Sequence, residues 1–260
     1  MDFLIQIYEV QTPGEAESLI NMDVDHIGSV LMTPDFQRQD VLSETLAVVA
    51  DSGKRSSLIP LFRDTDHVSR ALDHYRPDVV HFCDMLTENG SESVPKAAFD
   101  RQRTIRERFP EIQIMRSIPI AQTGMAGRVP TLDIAEMFEP ISDLFLTDTL
   151  VLSDAGNGFP PQPVDGFIGI TGTTCDWDMA SSLVAASQIP VILAGGISTE
   201  NVQDGLVHVK PAGVDSCTLT NAVDGHGKPI RFKKDMKKVK LLVDMVRRND
   251  HHNIKEAEEQ

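Results

Sequence analysis

The sequence predicts an α/β fold, a single (β/α)8 TIM barrel built on a parallel eight-stranded sheet. Its 260 residues are close to the roughly 250 that are typical of such barrels. Eight short apolar runs rich in Val, Ile, Leu and Phe recur along the chain, and most are separated by stretches long enough for a helix. The runs are continuous enough to be covered on both faces, which is typical of parallel strands. Eight strands in alternation favour closure into a barrel over an open sheet.

The eight apolar runs predict the strands in chain order. They are FLIQIYEV (3–10), HIGSVLM (26–32), SSLIPLF (56–62), DVVHFC (78–83), IQIMRSIPI (112–120), DLFLTDT (143–149), PVILAGG (190–196) and GVDSCTLT (213–220).

Three of the intervening stretches carry clear helix signals. TPGEAESLINM begins with Thr12 as N-cap and Pro13 in the first turn. DTDHVSRALDHYRP begins at an aspartate cap and stops before Pro77. STENVQDGLVHVKP is predicted to begin at Ser198, with Glu200 in its first turn. These signals place helices after the first, third and seventh strands.

The regular alternation is interrupted twice. Residues 85–111 are long, polar and basic, and predict one solvated helix. Residues 150–175 are rich in Gly and Pro without a helical period, which indicates a long functional loop. Charged residues dominate from 249 to 260. We therefore divide the chain into a barrel at residues 1–248 and a charged C-terminal tail at 249–260.

Composition limits the partners and the compartment. A formal charge of −15 opposes binding to phosphate backbones, so we expect no nucleic-acid partner. No apolar run reaches the roughly 20 residues of a membrane span, so no membrane association is expected. The N-terminus enters a strand directly, without a secretory signal pattern, and the three cysteines form neither a disulfide framework nor a metal knuckle. These features predict a cytoplasmic protein with reduced thiols and no metal site.

The active site of a barrel lies at the carboxyl ends of its strands. The residues selected by this rule are Tyr8, Glu9, Met32, Phe62, Arg63, His81, Cys83, Ser117, Asp148, Gly195, Gly196 and residues 217–221. Asp148 ends an otherwise apolar strand, where partial burial would raise the pKa of its carboxyl towards the range of a general acid. The alternative is that Asp148 caps the loop that follows.

The sequence LAGGIS, with Gly195 and Gly196, provides a second signal. Paired glycines after a strand let backbone N–H groups approach a ligand, and a helix beginning at Ser198 would present its N-terminus to an anion. Barrels frequently bind phosphate with the loops after strands seven and eight. The position of this pair on strand seven therefore predicts a phosphate site.

Several motifs together resemble phosphoribosylanthranilate isomerase. GITGTTCDW (169–177) is similar to the family's GGTG-x-x-FDW loop, and PVILAGGISTENV (190–202) to its P-x-x-LAGGL-x-x-x-NV segment. GVDS (213–216) matches the start of GVDVSSGVE, and Lys234 with Asp235 opens the last helix. DVVHFCD (78–84) resembles DVVQLHG more loosely. The resemblance covers most of the chain, with an enlarged middle.

The resemblance implies a (β/α)8 barrel that performs an Amadori rearrangement without a metal or an organic cofactor. It implies that Asp148 is the general acid that protonates the ribose ring oxygen of N-(5′-phosphoribosyl)anthranilate. The family's general base is a cysteine in a KICG motif, and KICGIT aligns with QIYEVQ, so Tyr8 stands at the cysteine position and Glu9 at the glycine position. A tyrosine of pKa near 10 is a poor base at neutral pH. Glu9 or Cys83 could replace it.

The resemblance also assigns the binding residues. For the phosphate these are Gly172, Gly195, Gly196, Thr218, Thr220 and Asn221, although the family's SSG after strand eight is changed here to CTLTNAVDG. The family's loop lysine is Thr173, and Arg38 is the counterpart of the arginine that binds the anthranilate carboxylate.

Three hypotheses for function follow. The first is an isomerase of this family, acting on a phosphorylated small molecule as a monomer or homodimer. The second is a divergent paralogue that acts on another phosphorylated small molecule. The third is a non-catalytic ligand-binding barrel, which the missing cysteine keeps open.

Overall fold

The computed structural model describes residues 2–35, 40–87, 96–153 and 163–258, with side chains as far as residue 248. Eight parallel strands form a closed barrel in chain order, and the last strand pairs with the first. This confirms the predicted fold class. The strands are β1 (Leu4–Ile7), β2 (His26–Leu31), β3 (Arg55–Pro60), β4 (Val79–Phe82), β5 (Gln113–Ala121), β6 (Leu144–Leu150), β7 (Val191–Leu193) and β8 (Gly213–Ser216).

Eight α-helices surround the barrel in the described part of the chain. They are α1 (Pro13–Asn21), α2 (Asp40–Asp51), α3 (Thr65–Tyr75), α4 (Lys96–Arg108), α5 (Thr131–Phe138), α6 (Trp177–Ala186), α7 (Val202–Val209) and α8 (Met236–Glu258). The helix α8 continues past residue 248 to Glu258. The boundary that we draw at residue 248 therefore falls inside this helix, and the division into barrel and tail stays a prediction.

Two of the predicted helix starts are confirmed, and the third is wrong. The side chains of Thr12 and Asp64 accept hydrogen bonds from backbone amides in the first turns of α1 and α3. The predicted start at Ser198 is displaced, because α7 begins only at Val202. Asn201 holds the intervening turn: its side-chain oxygen accepts from Ser198 N and its Nδ2 donates to Gly196 O. The peptide after the glycine pair is therefore a turn and not the first turn of a helix.

The helix α4 is less solvated than its polar sequence predicts. Ala98, Arg101, Gln102 and Ile105 are buried against the barrel. Their polar groups have partners: Arg101 donates to Asp84, and Gln102 donates to Ser142. Long polar side chains can cover a barrel when their charged heads are paired, which composition alone does not reveal.

A two-stranded hairpin between β8 and α8 was not predicted. Its strands are β9 (Asn221–Val223) and β10 (Pro229–Lys234), paired antiparallel. The segment continues the chain directly from the carboxyl end of β8, so it lies at the same end of the barrel as the predicted site. It brings Arg231 and Lys234 to that end.

The main apolar core lies between strands and helices, whereas the inside of the barrel is notably polar. Gln6, Ser57, His81, Ser117 and Asp215 are each less than a tenth exposed. They occupy alternating strand positions whose side chains point into the barrel. Barrel interiors are mostly filled by branched apolar side chains, so this polar interior marks where chemistry is to be sought.

Among the residues that the structure describes, no helix is both long and apolar enough to cross a membrane.

Candidate active site

A cavity that opens to solvent lies at the carboxyl ends of the strands. Every strand except β5 contributes to its lining, either directly or through the residues that follow the strand. The segment 164–172 forms one wall. The cavity therefore lies where the barrel fold predicts an active site.

Asp148 faces this cavity from β6 and is 8% exposed. Burial raises the pKa of its carboxyl to about 7, and the hydrogen bond that Ser117 donates to Asp148 Oδ2 over 3.0 Å opposes the rise. A carboxyl with such a pKa is partly protonated near neutrality and can donate a proton.

A second buried carboxyl, Asp215 of β8, faces the same cavity and was not selected from the sequence. Burial raises its pKa to about 7, and the negative charge of Asp148 adds to the rise. Gln6, its partner in the β1–β8 register, donates from Nε2 to Asp215 Oδ1 over 3.2 Å. One sequence feature could have identified Asp215: it is an acidic residue within the apolar run of a barrel strand, two residues before Cys217.

Tyr8 projects into the barrel directly after β1 and is 3% exposed. Its ring lies over Gly28 of β2, and its hydroxyl contacts Ser57 Oγ at 2.5 Å and His81 Nδ1 at 2.9 Å. Burial raises the pKa of Tyr8 well above its ordinary value. The hydroxyl therefore stays protonated at neutral pH, and Tyr8 is not available as a base.

Glu9 also lines the cavity, but its carboxylate is already paired. Its backbone is left-handed, with φ of 64°, as suits a position where the family has glycine. The side chain is 1% exposed, and Arg231 of β10 holds it: Nε donates to Glu9 Oε1 over 2.7 Å and Nη2 lies 2.6 Å from the same atom. Asn221 Nδ2 donates to the other oxygen over 3.3 Å.

Cys83 also lines the cavity, at the end of β4. Burial raises the pKa of its thiol well above the ordinary value, and the charges of Asp148 and Asp84 add to the rise. The thiolate that proton abstraction would require is therefore strongly disfavoured at neutral pH. Cys217, at the carboxyl end of β8, has its pKa raised in the same way by burial.

A rim of glycines forms the wall of the cavity near β7 and β8. Gly172, Gly195 and Gly196 have φ of 65°, 88° and 61°. A Cβ on Gly196 would lie 2.7 Å from Thr174 N, and one on Gly172 would lie 3.5 Å from Thr218 Cγ2. The structure thus brings together four of the residues predicted to bind phosphate, on a rim where the backbone itself is accessible.

The remaining predicted binding residues lie elsewhere. Thr220 and Asn221 are outside the lining of the cavity, and their side chains are engaged within the fold. Thr220 Oγ1 donates to Cys217 O, and Asn221 Oδ1 accepts from Lys234 Nζ over 2.5 Å. Arg38 falls in 36–39, outside the described residues, so its role stays a prediction.

The described part of the predicted functional loop lies over the cavity and is bonded to residues at the ends of β4 and β6. Its residues 163–175 run over the barrel mouth: Ile168 N donates to Cys83 O at 2.9 Å, and Thr149 Oγ1 donates to Thr173 O at 2.7 Å. Gly169 lies against Asp148, because a Cβ there would be 2.7 Å from Asp148 Oδ1. Residues 154–162 of the same loop are outside the described part of the chain.

A closed eight-stranded barrel with buried carboxyls and a glycine rim at the carboxyl ends defines the class: a (β/α)8 barrel with a small-molecule site in the usual place. Within the described residues, no three His, Cys, Asp or Glu side chains are grouped so that they could hold a metal ion.

Comparison with known proteins finds similarity to one family of isomerases. The family model described as N-(5′-phosphoribosyl)anthranilate (PRA) isomerase matches residues 129–245. The N-(5′-phosphoribosyl)anthranilate isomerase of Methanocella arvoryzae is 26% identical over 253 residues, which cover 94% of this chain and 97% of that protein. The enzyme of the same name from Haloferax volcanii is 37% identical over 108 residues, which cover 40% of this chain and 42% of that protein.

Solved structures agree in fold. The N-(5′-phosphoribosyl)anthranilate isomerase of Pyrococcus furiosus superposes with a TM-score of 0.61 and 19% identity, covering 95% of this chain and 99% of that one. Monomers of the dimeric enzyme of Thermotoga maritima superpose with a TM-score of 0.62 and 15% identity, covering 94% and 98%. Together these comparisons support the assignment of the chain to the phosphoribosylanthranilate isomerase family, in agreement with the sequence motifs.

Proposed function

We propose that this chain catalyses the Amadori rearrangement of N-(5′-phosphoribosyl)anthranilate, with Asp148 as general acid and Asp215 as general base. The observation that carries the proposal is the pair of buried carboxyls that face one cavity, each with a pKa of about 7. The family's isomerase activity supports the choice of reaction.

Two interacting carboxyls in one cavity lose their protons in two separate steps. Between those steps the pair holds a single proton, so one carboxyl is an acid while the other is a base. The rearrangement needs both roles in one turnover. Other pairs of carboxyls divide acid and base roles in the same way, because their environments separate their pKa values.

The proposed reaction begins when protonated Asp148 gives its proton to the ribose ring oxygen. The C1′–O bond breaks, and the nitrogen lone pair forms a C1′=N double bond with a positive charge. Ionised Asp215 then removes the proton from C2′, and the electrons of that C–H bond form C1′=C2′ and neutralise the nitrogen. Return of a proton to C1′, with loss of the proton of the 2′-hydroxyl, gives the ketone.

Asp215 is favoured as base over the three residues considered from the sequence. Tyr8 and Cys83 keep their protons because burial raises the pKa of both. Glu9 is ion-paired with Arg231. Asp215 lies on the strand that pairs with β1, so it acts from the same side of the barrel as the cysteine position would.

The substrate phosphate is assigned to the glycine rim of Gly172, Gly195 and Gly196, with the hydroxyl of Thr218. Backbone N–H groups in left-handed turns are well suited to an anion because no side chain blocks the approach. The role of Arg38 at the anthranilate carboxylate remains a proposal from the motif alone.

Turnover of freshly generated N-(5′-phosphoribosyl)anthranilate, followed by its fluorescence, tests the proposal directly. The native protein should turn the substrate over, whereas Asp148→Asn and Asp215→Asn should each lose about 10²–10⁴-fold in kcat, the range for a general acid or base. Asp143→Asn is the matched control, because Asp143 precedes β6 at the opposite end of the barrel. It should retain activity.

A folded native protein without turnover would overturn the proposal. Tyr8→Cys refines that result: a gain of activity in this variant alone would mean that the cavity holds the substrate but lacks a working base. Full activity in Asp215→Asn would transfer the role of base to another group.

We also propose that the protein works in the cytoplasm as a monomer or homodimer on a phosphorylated small molecule, without a metal, an organic cofactor or nucleic acid. The acidic composition supports the exclusion of nucleic acid. Gel filtration with light scattering would distinguish monomer from dimer.

A further inference from the structure

A continuous chain of hydrogen bonds crosses the inside of the barrel and ends on Asp148. Ser57 Oγ lies 2.5 Å from Tyr8 OH, which lies 2.9 Å from His81 Nδ1. His81 Nε2 lies 2.8 Å from Ser117 Oγ, and Ser117 donates to Asp148 Oδ2 over 3.0 Å. All five residues are at most 8% exposed. The chain therefore links β3, β1, β4, β5 and β6 through the buried interior of the barrel.

The chemistry of the groups fixes the direction of donation when Asp148 is ionised. A carboxylate only accepts, so Ser117 must donate to it and must itself accept from His81 Nε2–H. Burial and the charge of Arg116 lower the pKa of His81 to about 3, so the ring is neutral and its Nδ1 can only accept. Tyr8 therefore donates to Nδ1. Every donor then points towards the carboxylate, and such chains polarise cooperatively.

We propose that His81 is a positioning residue for Asp148, which holds the Ser117 hydroxyl as a donor to the carboxylate and stabilises the ionised form left after proton transfer to substrate. Tyr8 contacts the other ring nitrogen of His81, so its role would be to orient His81 for Asp148 and not to act as the general base. The use of this carboxylate in catalysis rests on the proposed function, whereas its stabilisation by the chain does not.

Other titratable groups also face Asp148, and each is expected to contribute. They are Asp215 from β8, Cys83 at the end of β4 and Cys175 before α6, whose pKa values are raised by burial and further by the charge of Asp148. Each of these groups is separate from the hydrogen-bond chain. Removal of His81 alone should therefore isolate the contribution of the chain.

The test is an NMR titration of the full protein labelled with 13C at the aspartate carboxyl carbons, with the Asp148 signal assigned from Asp148→Asn. His81→Leu should move the midpoint of Asp148 ionisation upward by about one pH unit, a tenfold change in proton affinity. His81→Gln should recover part of the shift, because its amide can still donate to Ser117. Ser29→Ala, which removes a buried β2 hydroxyl bonded to Val10 O, is the control and should cause no shift.

An unchanged Asp148 midpoint in folded His81→Leu overturns the proposal. If His81→Leu does not fold, Tyr8→Phe is measured in its place. Loss of the Tyr8 hydroxyl should move the midpoint of Asp148 ionisation upward by a smaller amount. An unchanged midpoint in Tyr8→Phe would then overturn the proposal. The titration needs no substrate, so a shift without turnover would leave the hydrogen-bond chain standing and refute only the isomerase function. If the protein turns the substrate over, the alkaline limb of the kcat/KM profile should move to higher pH together with the midpoint of Asp148 ionisation.

Discussion

The ring of Tyr8 occupies the space that a side chain at Gly28 would need. A Cβ on Gly28 would lie 2.0 Å from Tyr8 Cδ1 and 2.1 Å from Cε1. The β1–β2 register places Gln6 opposite His26 and Ile7 opposite Ile27, so Tyr8 follows on opposite Gly28. An aromatic residue at the end of β1 thus requires a glycine on the neighbouring strand, and the two residues form one packing unit.

This contact predicts a strong coupling between the two positions. Gly28→Ala should lower the free energy of unfolding by about 1–3 kcal/mol, because the added methyl overpacks the ring. The same change made in a Tyr8→Cys background should be nearly neutral, since the ring is gone. Urea unfolding of the four proteins gives the interaction energy. Additive effects of the two changes would contradict a direct contact between the ring and position 28.

The carboxyl pair predicts a bell-shaped pH dependence of kcat/KM with its maximum near pH 7. The acidic limb reports loss of the first proton from the pair, which creates a base, and the alkaline limb reports loss of the second proton, after which no acid is left. The pH profile of the residual kcat/KM of Asp215→Asn should have no acidic limb. A native profile that is flat from about pH 5.5 to about pH 8.5 would contradict the assignment.

The buried titratable groups also predict how stability depends on pH. His81 and His26, with pKa values lowered to about 3 and about 4, bind protons only in the unfolded chain between about pH 4 and 6.5, so they make stability rise with pH. Asp148 and Asp215, with pKa values raised to about 7, bind protons only in the folded chain over that window, so they make it fall. The two contributions nearly cancel.

Single substitutions should reveal this cancellation. Relative to the native protein, Asp148→Asn should make stability rise more steeply with pH between about 4 and 6.5, by up to about 1.4 kcal/mol per pH unit for one proton. His81→Gln should change the slope in the opposite direction. Unfolding in urea at several pH values measures both. Parallel curves for all three proteins would contradict a lowered pKa for His81 and a raised pKa for Asp148.

The pair of Glu9 and Arg231 predicts a stabilising role for the hairpin. Arg231→Gln should destabilise the fold by about 2–3 kcal/mol, less than the loss for a fully buried pair because the arginine side chain is 32% exposed. Glu9→Gln with Arg231→Gln should recover most of that loss, because no buried charge is then left alone. Thermal and urea unfolding provide the measurement. A double variant as unstable as Arg231→Gln would refute this account.

The Glu9 single variant separates stability from catalysis. If Asp215 is the base, folded Glu9→Gln should keep kcat within about tenfold of the native value, far from the 10²–10⁴-fold loss expected for a general base. The kinetic assay of the native protein provides the comparison. A loss as large as that of Asp215→Asn would make Glu9 the base.

Local sequence patterns were sufficient to predict the barrel, its eight strands and the place of Asp148. These features depend on local patterns: apolar runs of strand length, caps such as Thr12, and a polar residue at the end of an apolar run. The family motifs after residue 169 are also short and local, so they could be identified from the amino-acid sequence without the structure. For the same reason the glycines at 195 and 196 were placed correctly on the rim of the cavity.

The contacts of the inward-facing residues, in contrast, depend on how the barrel closes. Glu9 meets Arg231, 222 positions away, and Tyr8 reaches His81 and Gly28 across three different strands. Alternation along a strand shows that a side chain points into the barrel, but not which distant side chain it meets there. Closure of the barrel brings those residues together in a buried interior, and burial with partner charges then sets which groups keep their protons.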